Sequence, residues 1–170
     1  MFESDTEIIK ADPYYIQFID NPSEELQRLA VSQDGFSIKY IENPSLEIQI
    51  LAINQNSFSI KYIKCPLEEI KKLAIRINGN SIRYIDDPSI KLQKLAIIRN
   101  VTSISCIKNP TLEIQILAIN ETYHCFKLID NPLLETINLA LSYAEKYEDE
   151  EFIKYISDLY MKKSGLESYG

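Results

Sequence analysis

Apolar and polar positions along this chain recur with a period of 22 residues. One position of the repeat is alanine six times, and another is proline six times. The alanines are Ala30, Ala52, Ala74, Ala96, Ala118 and Ala140, and the prolines are Pro22, Pro44, Pro66, Pro88, Pro110 and Pro132. A fixed period without insertions indicates stacked supersecondary units, each of which buries its apolar face against its neighbours.

The first half of each repeat carries the signals of an amphipathic helix. Leu26, Leu29 and Ala30 have helical spacing, and Asn21-Pro22 precedes them. We predict that asparagine or aspartate is the N-cap and proline the first helical residue, with glutamates close behind that complement the helix dipole. The sequence therefore predicts one helix start at each proline.

The second half of each repeat predicts a turn and another short helix. Asp34-Gly35 and Asn78-Gly79 offer the left-handed residue that commonly ends a helix. A second helix over 36–41 places Ile38 and Ile41 on one face before the next Asn-Pro stops it. Two short helices per repeat predict an all-α fold, an α-solenoid of helix-turn-helix units.

A leucine-rich repeat is the alternative fold. Ile48, Leu51, Ile53, Asn56 and Phe58 match its LxxLxLxxNxL spacing, and its period also includes 22 residues. In that fold the residue between the second and third leucine positions projects from an exposed strand, yet here it is alanine in all six copies. Close helix packing explains an obligatory small residue better, so we favour the helical fold.

The register divides the chain into one continuous repeat domain over 1–170. Residues 1–20 are a degenerate first repeat, 21–130 hold five regular repeats, and 131–170 hold the last repeat and a C-terminal cap. The cap is predicted as a helix that buries one broad side, formed by Phe152, Ile153, Ile156, Leu159 and Tyr160.

The repeat unit, written NPSxEIQxLAIxxNxxSIKYI, resembles the short Asn-Pro helical repeats of proteins from AT-rich bacteria, their phages and giant viruses. The resemblance covers about residues 12–144. It implies an α-solenoid of the same class as HEAT and tetratricopeptide arrays. It also implies a mobile-element protein that captures a host factor.

Charge and cysteine content indicate the class of partner and the cellular compartment. The net charge of −7 is concentrated near the C-terminus, at Glu145, Glu148, Asp149, Glu150 and Glu151. This balance argues against general adhesion to nucleic acid, which needs clustered basic residues. Three cysteines without a CxxC pair favour a reducing compartment. The N-terminus has no signal-peptide pattern and no run approaches the length of a membrane span, so we expect a cytoplasmic protein without a membrane partner.

Catalytic signals are weak. The single histidine, His124, occupies the repeat position of Phe36 and Phe58, so we interpret it as a packing residue. Cys106 replaces a tyrosine and Cys125 a serine, and both are predicted to be buried thiols. We expect no catalytic residue, no metal site and no cofactor, and predict that the chain is not an enzyme.

Two columns of side chains stand out as candidates for partner binding. At 100° per residue, the basic column of the second helix lies outside the buried arc and beside a tyrosine column at its edge. The predicted partner-binding residues are Lys39, Tyr40, Lys61, Tyr62, Arg83, Tyr84 and Lys127. A solvated basic stripe and ordinary core packing are the alternatives, and the same choice applies to an acidic column with Glu25, Glu47 and Glu69. A glutamine column with Gln27, Gln49, Gln93 and Gln115 is predicted to be structural.

These observations predict a non-enzymatic scaffold that binds a protein partner along the second-helix ridge. The resemblance implies a more specific role, an inhibitor from a phage or mobile element that captures a bacterial defence protein. Recognition of nucleic acid or a ribonucleoprotein along the basic ridge is the alternative. The sequence leaves the oligomeric state open.

Overall fold

The computed structural model describes residues 4–164, with side chains through residue 161. The chain falls into two compact units, Met1–Arg99 and Asn100–Gly170. No β-strand occurs in the described part of either unit. The all-helical prediction is therefore confirmed there, and the prediction of a single domain stays a prediction.

In the first unit α-helices alternate with 3₁₀ helices. The α-helices are α1 (Asp5–Ala11), α2 (Glu24–Gln33), α3 (Leu46–Gln55), α4 (Glu68–Ile77) and α5 (Ile90–Arg99). The 3₁₀ helices between them are η1 (Pro13–Phe18), η2 (Gly35–Tyr40), η3 (Ser57–Tyr62) and η4 (Gly79–Tyr84). Consecutive α-helices contact one another, and so do consecutive 3₁₀ helices, so the unit has an α row and a 3₁₀ row.

The second unit continues the alternation and then ends in two longer α-helices. It contains η5 (Val101–Cys106), α6 (Leu112–Glu121), η6 (Tyr123–Leu128), α7 (Leu134–Lys146) and α8 (Glu150–Ser164). α6 packs on α7, and α7 packs on α8. The predicted capping helix is thus present, with Phe152 and Ile156 buried and Ile153 and Leu159 half-buried. Tyr160 is exposed, so its predicted burial is wrong.

The two predicted helices per repeat are confirmed, but the second is a 3₁₀ helix rather than an α-helix. With three residues per turn, its isoleucines three apart fall on one face. Ile38 and Ile41 are accordingly buried, as are Ile60 and Ile63 in the next repeat. The alanine column is fully buried in α-helices. Leu51 and Ile53 lie in α3, where a leucine-rich repeat requires a strand, so that alternative is wrong.

The helix starts differ from the prediction. The residue before the proline is not the N-cap. In four of the six repeats, at Asn21, Cys65, Asp87 and Asn109, it takes a left-handed conformation with φ between 45° and 50°. The α-helix begins two residues after the proline, and the serine between them is the N-cap in α2 and α3. The Ser23 hydroxyl accepts the Leu26 N–H, and Ser45 does the same for Ile48, each at 3.4 Å. The left-handed residue turns the chain sharply, and the proline leads into the cap.

The predicted left-handed end of the first helix is also wrong. Asp34 and Asn78 are extended, with φ of −143° and −147°. Each ends its α-helix and then caps the following 3₁₀ helix, as when Asp34 Oδ1 accepts the Phe36 N–H at 2.8 Å. Gly35 is required by packing, because a Cβ there would stand 2.5 Å from the carbonyl oxygen of Ala52 in the next repeat.

Candidate binding face

The 3₁₀ row of the first unit carries a ladder of aromatic pairs. Tyr14 packs against Tyr40, Phe36 against Tyr62 and Phe58 against Tyr84, with ring centres 5.9, 5.8 and 5.6 Å apart. All three pairs are edge-to-face, the arrangement that the ring quadrupole favours. The partners are one repeat plus four residues apart in sequence, so each tyrosine is held by an aromatic ring of the preceding repeat.

Tyr14 is additionally fixed by a carboxylate. Its hydroxyl donates a hydrogen bond to Asp34 Oδ2. This bond, together with burial, raises the pKa of Tyr14 to about 12. Tyr14 therefore stays neutral and is anchored to the junction between α2 and η2.

Two predicted partner-binding lysines lie over these rings. Lys39 Nζ is 4.9 Å from the ring centre of Tyr14 and 4.5 Å from that of Tyr40. Lys61 Nζ is 5.5 Å from the ring centre of Tyr62 and 5.8 Å from that of Tyr84. All four distances fit cation–π contacts, in which the ammonium group is attracted to the negative face of the ring. The rings thus restrict where each ammonium group sits while leaving it in water.

The charge of these lysines is not neutralised within the described residues, where neither forms a salt bridge. The adjacent Tyr40 raises the pKa of Lys39 through a side-chain hydrogen bond, which keeps its ammonium group protonated. Two basic residues of the α row, Arg28 and Lys72, behave differently. Arg28 bridges Glu24 and Glu47 at 3.1 and 2.9 Å, and Lys72 pairs with Glu69 at 2.8 Å.

The remaining predicted site residues divide between the units. Arg83 is exposed and Tyr84 half-buried in η4, beside the positions just described. Lys127 belongs to the second unit, where its Nζ lies 5.2 and 5.1 Å from the ring centres of Phe152 and Tyr155. Both of these rings belong to the capping helix α8. Lys39 and Lys61 instead lie over tyrosines of the repeat itself.

Two open grooves follow the lysine and tyrosine columns at equivalent places in successive repeats. The first groove has a volume of about 430 Å³ and the second about 410 Å³. The first is lined by Lys39, Tyr40, Ile41, Glu42, Asn43, Pro44, Gln49, Tyr62, Ile63 and Lys64. The second is lined by Lys61, Tyr62, Ile63, Lys64, Cys65, Pro66, Lys71, Ile85 and Asp86. Each residue from Lys61 to Lys71 in the second groove stands 22 positions after its counterpart in the first.

The grooves are basic although the chain is acidic. Lys39 and Lys64 face a single acid, Glu42, in the first groove. In the second groove three lysines, at 61, 64 and 71, face only Asp86. Lysine stems and tyrosine rings supply apolar walls with polar tips, a composition suited to a polar, negatively charged chain segment.

Two residues of the acidic column, and the whole glutamine column, have structural partners. Glu47 and Glu69 are in the first turns of their helices and pair with Arg28 and Lys72. Each glutamine amide donates to the carbonyl oxygen of the proline five residues earlier in its own repeat, over 2.9–3.0 Å. Gln115 also joins two repeats, because its Oε1 accepts the Leu133 N–H and the Thr136 hydroxyl, each at 2.9 Å.

His124 belongs to an aromatic cluster at the start of α8. Its exposed ring lies 4.2 Å from the Tyr123 ring centre, and its Nε2 is 3.4 Å from Asp149 Oδ2. Asp149 also accepts the Phe152 N–H at 3.1 Å and the Tyr123 hydroxyl at 3.0 Å. The first of these contacts is the main reason that the pKa of Asp149 is lowered. Asp149 is therefore a helix cap, a role that sequence reasoning missed.

The cysteines differ in burial. Cys125 is buried, which raises the pKa of its thiol to about 11. Cys106 is only half-buried, so its predicted burial is correct in part. Cys65 is exposed on the wall of the second groove.

Sequence reasoning also missed Tyr14 and the charged rims of the grooves, Glu42, Lys64 and Asp86. A signal for Tyr14 exists, because Tyr14, Phe36 and Phe58 form an aromatic column with the period of the repeat. The rims carry no such signal, since glutamate, lysine and aspartate alternate at one repeat position.

Within residues 4–161, no three histidine, cysteine, aspartate or glutamate side chains are grouped so that they could hold a metal ion. None of the helices in that described part is long and apolar enough to cross a membrane. Comparison with protein-family models, curated proteins and solved structures finds no match to this chain.

Proposed function

We propose that this protein is a non-enzymatic binding scaffold that holds a protein partner on the 3₁₀ face of its repeats. The observation that carries the proposal is the recurrence of one groove in two successive repeats, each flanked by a lysine held over tyrosine rings. Tyrosine is enriched in protein-binding hot spots, and the lysines beside it add a positive charge that complements an acidic partner. A recurring site suits an extended partner better than a small molecule, since each repeat adds the same contact.

The α-solenoid predicted from the sequence forms part of this proposal. Solenoids present extended surfaces because every repeat contacts only its neighbours and offers the same face. The helix contacts inside each unit are of this nearest-neighbour kind. The resemblance of the repeat to those of phages and AT-rich bacteria supplies the concrete version, a cytoplasmic inhibitor that captures a bacterial defence protein.

Nucleic acid is a second candidate partner. Lysines beside aromatic rings also bind single-stranded nucleic acid, whose bases stack on exposed ring faces. Here, however, the tyrosines are half-buried, they make edge-to-face contacts, and lysines lie over their faces. The net charge of −7 also opposes attraction of a polyanion at long range. We therefore place a protein partner first.

Affinity capture from a bacterial host lysate tests the proposal. The bait is the wild-type protein, compared with a variant that combines Lys39→Glu, Lys61→Glu and Arg83→Glu. A matched control combines Lys10→Glu, Arg76→Glu and Lys91→Glu, which changes the net charge equally at exposed positions on α-helices. We expect wild type and control to retain one specific protein and the 3₁₀-face variant to lose it, because charge reversal replaces attraction by repulsion along the face.

Circular dichroism should show equal helix content in all three proteins. Retention of the partner by the folded 3₁₀-face variant would contradict the proposal and point to the α row with Glu25, Glu47 and Glu69. Recovery of nucleic acid that salt removes would favour the second candidate instead.

A further inference from the structure

The spacing of the two basic grooves limits the conformations in which one extended chain segment reaches both of them. Lys61 Nζ lies 5.5 Å from the ring centre of Tyr62 and 5.8 Å from that of Tyr84, so equivalent rings in neighbouring repeats are no more than about 11 Å apart. Packed helix layers are generally about 8–10 Å apart. The grooves therefore recur at about the same interval.

An extended chain of the polyproline II type matches this interval. It rises about 3.1 Å per residue with three residues per turn, so every third side chain returns to the same side after about 9 Å. In a β-strand, residues on the same side are two positions apart, about 6.6 Å, or four positions apart, about 13 Å. Neither distance matches the interval between the grooves. Side chains at every third position of a polyproline II segment thus fit successive grooves.

The charge of the groove walls specifies what those side chains carry. Lys39 and Lys61 form no salt bridge within the described residues, and the grooves hold more lysines than acids. Because rings hold both ammonium groups, binding an anion costs less side-chain entropy than it would for freely rotating lysines. Carboxylates are the anions that a protein segment offers.

We propose that the 3₁₀ face of the first unit binds an extended acidic peptide segment with a carboxylate at every third residue. One carboxylate meets Lys39 and Lys64 in the first groove, and the next meets Lys61 and Lys71 in the second. The apolar walls formed by Tyr40, Tyr62 and Ile63 contact the residues between the acids. This assignment rests on the proposed function and adds the chemistry of the partner to it.

Fluorescence anisotropy with labelled synthetic peptides tests the assignment. The first peptide has aspartate at every third position, separated by proline and alanine. A second has the same composition with its aspartates consecutive, and a third has asparagine in place of aspartate. We expect the first to bind at least about tenfold more tightly than either of the others, since only it places one carboxylate in each groove. Added salt should weaken this binding.

Two protein variants locate the site. Lys39→Gln combined with Lys61→Gln should lower the affinity for the first peptide about tenfold or more, whereas Lys39→Arg combined with Lys61→Arg keeps the charges and should retain binding. Lys10→Gln combined with Lys91→Gln removes two exposed charges elsewhere and should leave the affinity unchanged. Circular dichroism confirms that each variant is folded.

Several results would overturn the assignment. Equal binding of all acidic peptides would mean that charge alone acts, and tighter binding of a helical peptide with aspartates seven apart would mean that the partner is an α-helix. Tighter binding of a single-stranded oligonucleotide of equal charge would assign the grooves to nucleic acid. If no acidic peptide binds while lysate capture still depends on the 3₁₀ face, the proposed function stands and only the acidic-segment assignment fails. If capture does not depend on that face either, both fail.

Discussion

At the scale of single residues, the turn before four of the α-helices is the strained point of the repeat. Asn21, Asp87 and Asn109 occupy left-handed backbone with φ of 50°, 45° and 50°, and Cys65 takes the same place with φ of 49°. Asparagine and aspartate tolerate this region because their short polar side chains hydrogen-bond locally, whereas other L-residues pay about 1–2 kcal/mol there. Cys65 is therefore the unfavourable member of the column.

Replacing that residue should stabilise the protein. We expect Cys65→Asn to raise the free energy of unfolding by about 0.5–1 kcal/mol, because asparagine relieves part of the left-handed strain. Urea unfolding followed by circular dichroism measures the change. Cys65→Ala is the control, since it removes the thiol without relieving the backbone and should bring no gain. Equal stabilisation by both substitutions would show that the thiol, not the backbone, is the cause.

At the scale of elements, close approach between helices depends on small residues in the α row. All six alanines of the column are fully buried, and Ala74 lies in the middle of α4. Gly35 shows how tight the neighbouring junction is, because an added Cβ would meet the backbone of α3. A larger side chain in the alanine column must therefore push whole helices apart.

Ala74→Leu is the corresponding prediction. Overpacking this position should lower the free energy of unfolding by about 1–3 kcal/mol. Ile77→Leu in the same helix is the matched control, since Ile77 is exposed and its replacement should stay within about 0.5 kcal/mol of wild type. Urea midpoints of the two variants provide the measurement. Equal midpoints would mean that a larger side chain fits at position 74 although Ala74 is fully buried.

The second unit depends in the same way on α8. Phe152 is buried and contacts the rings of Tyr123, His124, Phe126 and Tyr155. These contacts make Phe152 the main link between α8 and the preceding elements of this unit.

We expect Phe152→Ala to lower stability by about 3–5 kcal/mol, because it removes apolar contacts and leaves a cavity. Tyr160→Ala, at an exposed position of the same helix, should cost far less. Thermal unfolding followed by circular dichroism compares the two variants. A cost for Tyr160→Ala equal to that of Phe152→Ala would contradict the role assigned to α8.

At the scale of the whole molecule, the sequence and the two compact units raise the question of cooperativity. The period of 22 continues without insertion past Arg99, where the division into units falls. Repeats that contact only their neighbours unfold together when the interfaces are strong enough. The prediction of a single domain rests on that uninterrupted register.

Scanning calorimetry tests this prediction. We expect one unfolding transition whose calorimetric and van't Hoff enthalpies agree, as for a two-state domain. Two resolved transitions would instead divide the chain into two domains. In that case Phe152→Ala should shift only one of the two transitions. The shifted transition is then assigned to the second unit, which contains Phe152.

Much of the fold could be predicted because it depends on local periodicity. Isoleucines and alanines at helical spacing indicate buried faces whatever the neighbouring repeats do, and the regular step of 22 residues indicates two helices per repeat. The exposure of Lys39 and Lys61 and the half-burial of Tyr40 and Tyr62 were predictable for the same reason. Each of these properties is set by where a residue lies on its own helix.

Only the tertiary structure decided the helix starts, the helix type and the form of the candidate site. An Asn-Pro pair is compatible both with an N-cap and with a left-handed turn, and the structure has the left-handed turn at Asn21 and Asn109. The second helix of each repeat is a six-residue 3₁₀ helix, whose rise per residue is longer than that of an α-helix. The lysine positions over the rings and the two grooves arise from residues of different repeats, which no pattern within one repeat can specify.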